Sequence, residues 1–267
     1  MKKTQFAFDL MAKNSEHSLY HLGIVKYYPN VIISLHKSSS LRDANSHYSG
    51  AQLNLNNVLY RDFLSLLINA CFCLISRRTV LFIGLHLWQA CVLFPLIALN
   101  GKCTIHLHGQ VYALHRKGIK YYLWRLLSSI SNLVISNPAW SGPSFIRKID
   151  NINQLRNYTP LAKKNSTVIY YSAIGKKPLD LFSLKNRLYQ SSLDLQIVKQ
   201  GISYEELDVL LTNSSYLFLE STDDYYLYSP SGRISDALNY GLTLVLKKED
   251  AVSILVSKKY LVDYILI

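Results

Sequence analysis

One feature constrains this chain more than any other: an alternation of short apolar runs with segments of helix length. Phe6–Leu10, Val31–Leu35, Val80–Ile83, Cys103–Leu107 and Leu133–Ser136 read as strands. His17–Tyr27, Leu59–Ile75, Trp88–Leu99, Ile119–Ile130 and Pro143–Ile149 read as helices, with Leu64, Leu67 and Ile68 on one face of the second. The polar, Ser/Asn-rich stretch Leu41–Asn57 reads as a loop, and Asn100-Gly101 as a helix stop. Strands joined through helices must pair in parallel by right-handed crossovers. The expected fold is therefore doubly wound α/β, which binds ligands beyond the carboxyl ends of its strands.

The alternation runs twice. Asp150–Asn165 is polar and reads as a linker. After it come strands Thr167–Tyr171, Asp194–Lys199, Tyr216–Leu219 and Leu242–Leu246, interleaved with helices Leu179–Tyr189, Glu205–Leu211 and Gly232–Asn239. The tail Ala251–Ile267 reads as a helix, or a helix plus a strand. The expectation is two Rossmann-like domains, 1–155 and 156–267, facing each other across a cleft.

Composition excludes several classes. With 49% apolar and 17% charged residues and no low-complexity tract, the chain should be globular. Its formal charge of +12 predicts attraction to phosphorylated ligands or an anionic membrane face. The basic residues are thinly spread, with no arginine-rich arm or zinc-finger spacing, so no nucleic acid partner is expected. Cys71, Cys73, Cys91 and Cys103 form no C-x-x-C pair and read as free thiols in a reducing cytosol. The apolar stretch Thr79–Leu99 is long enough for a membrane span. It contains His86, Gln89 and Pro95 and divides into a strand and a helix, which favours buried α/β core. Asp9 interrupts the apolar stretch a secretory leader would need.

The segment Ser229–Gly241 carries the clearest chemical signal. Pro230-Ser231-Gly232 suits a turn entering a helix, with Ser231 or Gly232 as N-cap and Ile234, Ala237 and Leu238 as the buried face. Free N–H groups at such a helix start are a site for phosphate. Arg233 in the first turn opposes the helix dipole, which makes sense beside a bound anion.

Ser231–Leu246 resembles the donor-binding segment of retaining nucleotide-sugar glycosyltransferases of the GT-B type, especially the large family four. Asp236-Ala237-Leu238 with Gly241 is similar to the second acidic position of that motif, and Asp223 or Asp224 fits the first if a few residues are inserted. Gly201 with Glu205-Glu206-Leu207 resembles the stretch beside the nucleotide base. Gly175-Lys176-Lys177 resembles the loop that meets the donor diphosphate, with lysine in place of the usual arginine. In the first half, His86, Pro95, Gly101 and His108-Gly109 fall in the order of the family's acceptor-side domain. His106 and His108 share a strand face and could ligate a metal, but no third ligand is apparent.

The resemblance implies transfer of a hexose or related sugar from a nucleoside-diphosphate sugar to a glycan or lipid-linked glycan, in bacterial surface polysaccharide synthesis. Donor-binding residues would be Gly175, Lys176, Lys177, Glu206, Asp224, Ser231, Gly232, Arg233, Ile234 and Asp236. His108 and Asp236 would be the catalytic pair, with His108 the base if the configuration inverts and no protein base if it is retained. No metal or cofactor is implied. The location would be cytoplasmic, at the inner membrane face. The alternative is a noncatalytic, transferase-like partner subunit.

Overall fold

In a computed structural model, residues 5–11, 18–28, 30–39, 41–47, 53–107, 114, 117–155, 165–171, 180–198, 202–220 and 232–267 are described. The chain divides into two compact units, with the break in the chain trace after Asn153.

The first unit contains β1 (Gln5–Asp9), α1 (Ser18–Tyr27), β2 (Val31–His36), α2 (Leu41–His47), β3 (Val58–Arg61), α3 (Phe63–Ile75), β4 (Thr79–Gly84), α4 (Leu87–Val92), α5 (Phe94–Asn100), β5 (Cys103–Leu107), α6 (Ile119–Ser128), β6 (Asn132–Ser136) and β7 (Arg147–Ile149). Its sheet has seven strands in the order β3-β2-β1-β4-β5-β6-β7. Every pairing is parallel. Phe8, Phe82, Ile105, Leu133 and Trp124 form the core between this sheet and the helices. Burying each such side chain contributes about 1.5–3 kcal/mol.

The second unit contains β8 (Thr167–Tyr170), α7 (Leu181–Gln190), β9 (Asp194–Ile197), α8 (Tyr204–Thr212), β10 (Tyr216–Phe218), α9 (Gly232–Tyr240), β11 (Thr243–Leu246), α10 (Ala251–Tyr260) and β12 (Tyr264–Leu266). Its five strands run in the order β12-β11-β10-β8-β9, again all parallel. Val168, Leu184, Leu188, Phe218 and Val245 make its core. The α9 helix ends at Gly241, whose φ of 64° is a left-handed turn that glycine adopts without strain.

Several sequence expectations change. The loop expected over Leu41–Asn57 holds the helix α2. The helix expected from Leu59 is first a strand, β3, and starts only at Phe63, where the Asp62 carboxylate caps it by accepting from Ser65 N–H at 2.9 Å. Its buried side is Leu66, Ala70, Cys73 and Leu74, not the Leu64 and Ile68 face. The helix is apolar nearly all round, so periodicity alone could not choose a face. Trp88–Leu99 is two helices broken at Leu93, with Pro95 in the first turn of the second. Pro143–Ile149 is not a helix, because its last three residues pair with β6 as an edge strand. Thr79–Leu99 is a strand and two short helices, and no helix among the described residues is long and apolar enough to cross a membrane.

Candidate functional site

In the second unit the chain leaves β8 toward β9 on one side, then crosses back to lay β10 on the other. Such a reversal opens a crevice beyond the carboxyl ends of the two central strands. Tyr170 ends β8, Tyr171 follows it, and Glu220 lies just past β10. The α9 helix brings Arg233 and Asp236 to the same place. Tyr171 donates to Asp236 Oδ2 at 2.5 Å, and Tyr170 donates to Glu220 Oε2 at 3.3 Å. The Arg233 guanidinium sits 3.7 Å from Glu220 Oε2 and within 5.7 Å and 5.5 Å of the Tyr170 and Tyr171 ring centres.

Two features give this cluster chemical character. Burial pushes the Asp236 carboxyl up to about 6, against the opposing pull of the Tyr171 hydroxyl and the Arg233 charge. Arg233 is only 6% exposed, yet neither Nη1 nor Nη2 has a hydrogen-bond partner among the described residues. A buried guanidinium carries five donors and a desolvation cost of several kcal/mol. It also stands at the positive end of a helix, where a cation is disfavoured. At that end Gly232 is exposed, and a side chain added there would meet nothing within 4 Å. Among the described residues nothing covers the Gly232 position, while the next residues of the turn, Arg233 and Ile234, are buried.

Of the expected donor residues, the fold unites Gly232, Arg233, Ile234 and Asp236. Glu206 lies in the first turn of α8, where its carboxylate accepts from the Ser203 N–H and hydroxyl, both at 2.9 Å. His108, Gly175, Lys176, Lys177, Asp224 and Ser231 lie outside the described residues, as does Asp223. Glu220, Tyr170 and Tyr171 were missed by sequence reasoning. Their one signal was position, at or just past the carboxyl ends of two apolar strands.

The α9 helix also departs from expectation in burial. All of Arg233–Tyr240 is buried, where only an apolar face was expected. Its polar residues find partners inside the unit: Asn239 accepts from Leu155 N–H at 2.7 Å, and Tyr240 donates to Asp208 at 2.6 Å.

The first unit has its own reversal point, between β1 and β4. A register shift after Phe8 brings Asp9 opposite Gly84. Asp9 Oδ2 lies 2.7 Å from His21 Nε2, and Oδ1 accepts from Met11 N–H at 2.8 Å. A Cβ on residue 84 would fall 2.1 Å from Asp9 Oδ1, so the strand position requires glycine. Above lies a cavity of about 410 Å³ lined by Asp9, His36, Phe63, His86, Trp88 and Gln89, among others. Gln89 braces its wall by accepting from His86 N–H at 2.8 Å and donating to Leu10 O at 3.1 Å.

His106 belongs to the core instead. It is fully buried, with the Tyr20 and Tyr28 hydroxyls 2.6 Å and 3.1 Å from its two ring nitrogens. Burial in turn raises both tyrosines, Tyr28 to about 12. No group of three metal-ligating side chains occurs among the described residues.

No protein-family profile matches the sequence, and no curated protein matches it. Among solved structures the chain is similar to Anabaena Alr3699/HepE in complex with UDP. The TM-score is 0.57 at 13% identity, over 99% of this chain and 85% of that one. The same Anabaena protein in complex with UDP and glucose matches with a TM-score of 0.54 at 12% identity, over 99% and 85%. At such identities the likeness concerns the fold. The chain is an α/β protein of two Rossmann-like units, the GT-B architecture expected from the sequence.

Proposed function

We infer that the chain is a glycosyltransferase that takes a sugar from a nucleoside-diphosphate donor held by the second unit. One observation carries the reading: the buried Arg233 guanidinium, whose two terminal nitrogens have no hydrogen-bond partner among the described residues, beside the exposed Gly232 at the start of a helix. A diphosphate placed there would accept from the N–H groups of Gly232–Ile234, engage the guanidinium fork and offset the misplaced helix charge. As the glycosidic bond breaks, negative charge grows on the departing diphosphate, and these fixed donors stabilise it. Preorganised donors of this kind are usually the largest catalytic contribution. Asp236 is held off the diphosphate by Tyr171 and suits hydroxyls of the donor. Lys176 or Lys177 would add charge, as the sequence implies.

The similar Anabaena structures contain UDP, and UDP with glucose, which makes a uridine nucleotide the first donor to try. The cavity of the first unit, with Asp9, His36 and His86 on an otherwise apolar wall, suits the acceptor. An inverting reaction needs a base there, with His108 as the sequence candidate and His36 and His86 as the histidines that line the cavity. The implied acceptor is a glycan or lipid-linked glycan of the bacterial surface, and the domain division implied is 1–155 and 156–267.

Calorimetry with UDP and a panel of other nucleoside diphosphates tests this directly. The wild type should bind at least one, and Arg233→Gln should weaken that binding at least roughly tenfold, the loss of one charge-assisted contact. Complete silence from a folded wild type would favour the noncatalytic partner subunit instead.

A further inference from the structure

The helical layer that connects β3 to β6 presents an unusual outer surface. Along α3, Leu64, Ile68, Phe72 and Ile75 recur at helical spacing and all point to solvent, Ile68 being 58% exposed. Neighbouring helices continue the patch with Trp88, which is 63% exposed, and with Val92, Leu99, Ile119, Tyr122 and Leu126. Contiguous apolar surface of this kind marks an interaction site. The charges along it are nearly all basic, the exposed Asp62 carboxylate that caps α3 being the acidic group at its start. From Phe63 to Ile149 the chain has nine Lys or Arg and no Asp or Glu over 87 residues. Arg77, Arg78 and Lys102 stand together at one end of the patch. Asn100 joins these two helix ends by donating to Leu74 O and Arg78 O, both at 3.0 Å. The Arg78 guanidinium lies over the exposed Phe72 ring, 5.7 Å from its centre. Lys120 and Arg125 flank the far side on α6.

We propose that this face docks on an anionic lipid bilayer, with the α3 stripe and Trp88 in the interfacial region and the basic residues against the headgroups. The charge pattern selects that occupant. A second copy would bring two basic surfaces together, and nucleic acid has no use for a stripe of leucine, isoleucine and phenylalanine. Exposed apolar side chains ringed by lysine and arginine match the chemistry of an acidic membrane surface. The surface stands on these observations alone. One consequence rests on the transferase reading: Phe63 and Trp88 also line the cavity of the first unit, which suits an acceptor whose lipid tail stays in the membrane.

The test is co-sedimentation of the purified full chain with vesicles of phosphatidylcholine, alone or mixed with phosphatidylglycerol. The wild type should bind the mixed vesicles, bind the neutral ones at least roughly tenfold less, and release as salt rises. The pairs Ile68→Glu with Phe72→Glu, and Arg77→Glu with Lys102→Glu, should each lower binding at least roughly tenfold. Phe182→Glu, at a residue 78% exposed in the second unit, should bind like the wild type. Tryptophan emission should shift to the blue on mixed vesicles, and Trp88→Phe should abolish the shift. Salt-insensitive binding to neutral vesicles, or unchanged binding by the Ile68/Phe72 variant, would overturn the proposal. So would a wild-type dimer that ignores vesicles and dissociates in that variant. UDP titration of the same samples separates the two readings: silence there with intact vesicle binding removes the transferase and leaves the surface, and the converse removes only the surface.

Discussion

The two units solve the same topological problem with opposite chemistry. Each has an all-parallel sheet whose strand order reverses, β1 against β4 in one and β8 against β10 in the other. At the first reversal the polar groups are locked together. Asp9 is engaged by His21 and Met11, and the cavity above is largely apolar. At the second, an arginine is buried with Glu220 and Asp236 around it, and its terminal nitrogens have no hydrogen-bond partner among the described residues. A closed polar network stabilises a wall. An incomplete one, next to the exposed Gly232, is where we propose that an anion binds. The fold supplies the crevice, while the satisfaction of buried donors decides what it can hold.

The largest effect expected from breaking this contrast is at Arg233. Arg233→Met leaves Glu220 and Asp236 without their cation, which should destabilise the second unit by about 3–5 kcal/mol and abolish nucleotide binding. Denaturant melts and calorimetry measure both. Retained UDP affinity in a folded variant would erase the distinction between the two crevices.

Asp236 comes next, through pH. Its folded value of about 6 lies above the ordinary 3.8, so between those values the folded state holds more proton than the unfolded one. The stability is therefore present in full below pH 3.8 and is lost as pH rises through about 6. The full loss across that window amounts to about 3 kcal/mol. Asp236→Asn should remove this dependence, so that the stability difference, variant minus wild type, increases between roughly pH 4 and pH 7. A difference flat across that range would show that the carboxyl stays in contact with water.

Gly232→Pro sharpens the comparison at a single atom. Proline is tolerated at the first position of a helix, so the substitution chiefly deletes one N–H. UDP affinity should fall by about 1.5–3 kcal/mol, the scale of a hydrogen bond to a charged group, with the melting temperature nearly unchanged.

The smallest effect belongs to the closed crevice. Gly84→Ala drives a methyl into Asp9, which must move, and should cost about 1–3 kcal/mol of stability in the first unit. Nucleotide affinity of the folded protein should not change. A large loss of UDP binding would mean that the two sites are energetically linked.

Much of the fold was legible because strands and helices announce themselves by period. β5 was read to the residue, and most other strands to within one or two. The failures share a cause. Pro143–Ile149 and Leu59–Arg61 are short segments whose apolar content fits either period, and edge pairing with β6 or β2 decided them. Which face of α3 points outward was not legible, because the helix is apolar on both sides, and only the sheet beneath it chooses which side is covered.

The site was half legible. Local sequence placed Gly232, Arg233 and Asp236 together at the start of one helix, since residues one and four positions into a helix are neighbours whatever the rest of the chain does. It could not supply Glu220, Tyr170 or Tyr171. These come from two strands separated by some 50 residues, and they meet Arg233 only because β8 and β10 pair side by side. What the sequence determined by itself was everything of short range: the alternation, the helix starts and stops, and the charge. Which buried donors were satisfied, and which face of an all-apolar helix met water, depended on contacts between distant segments, and those exist only once the sheets are assembled.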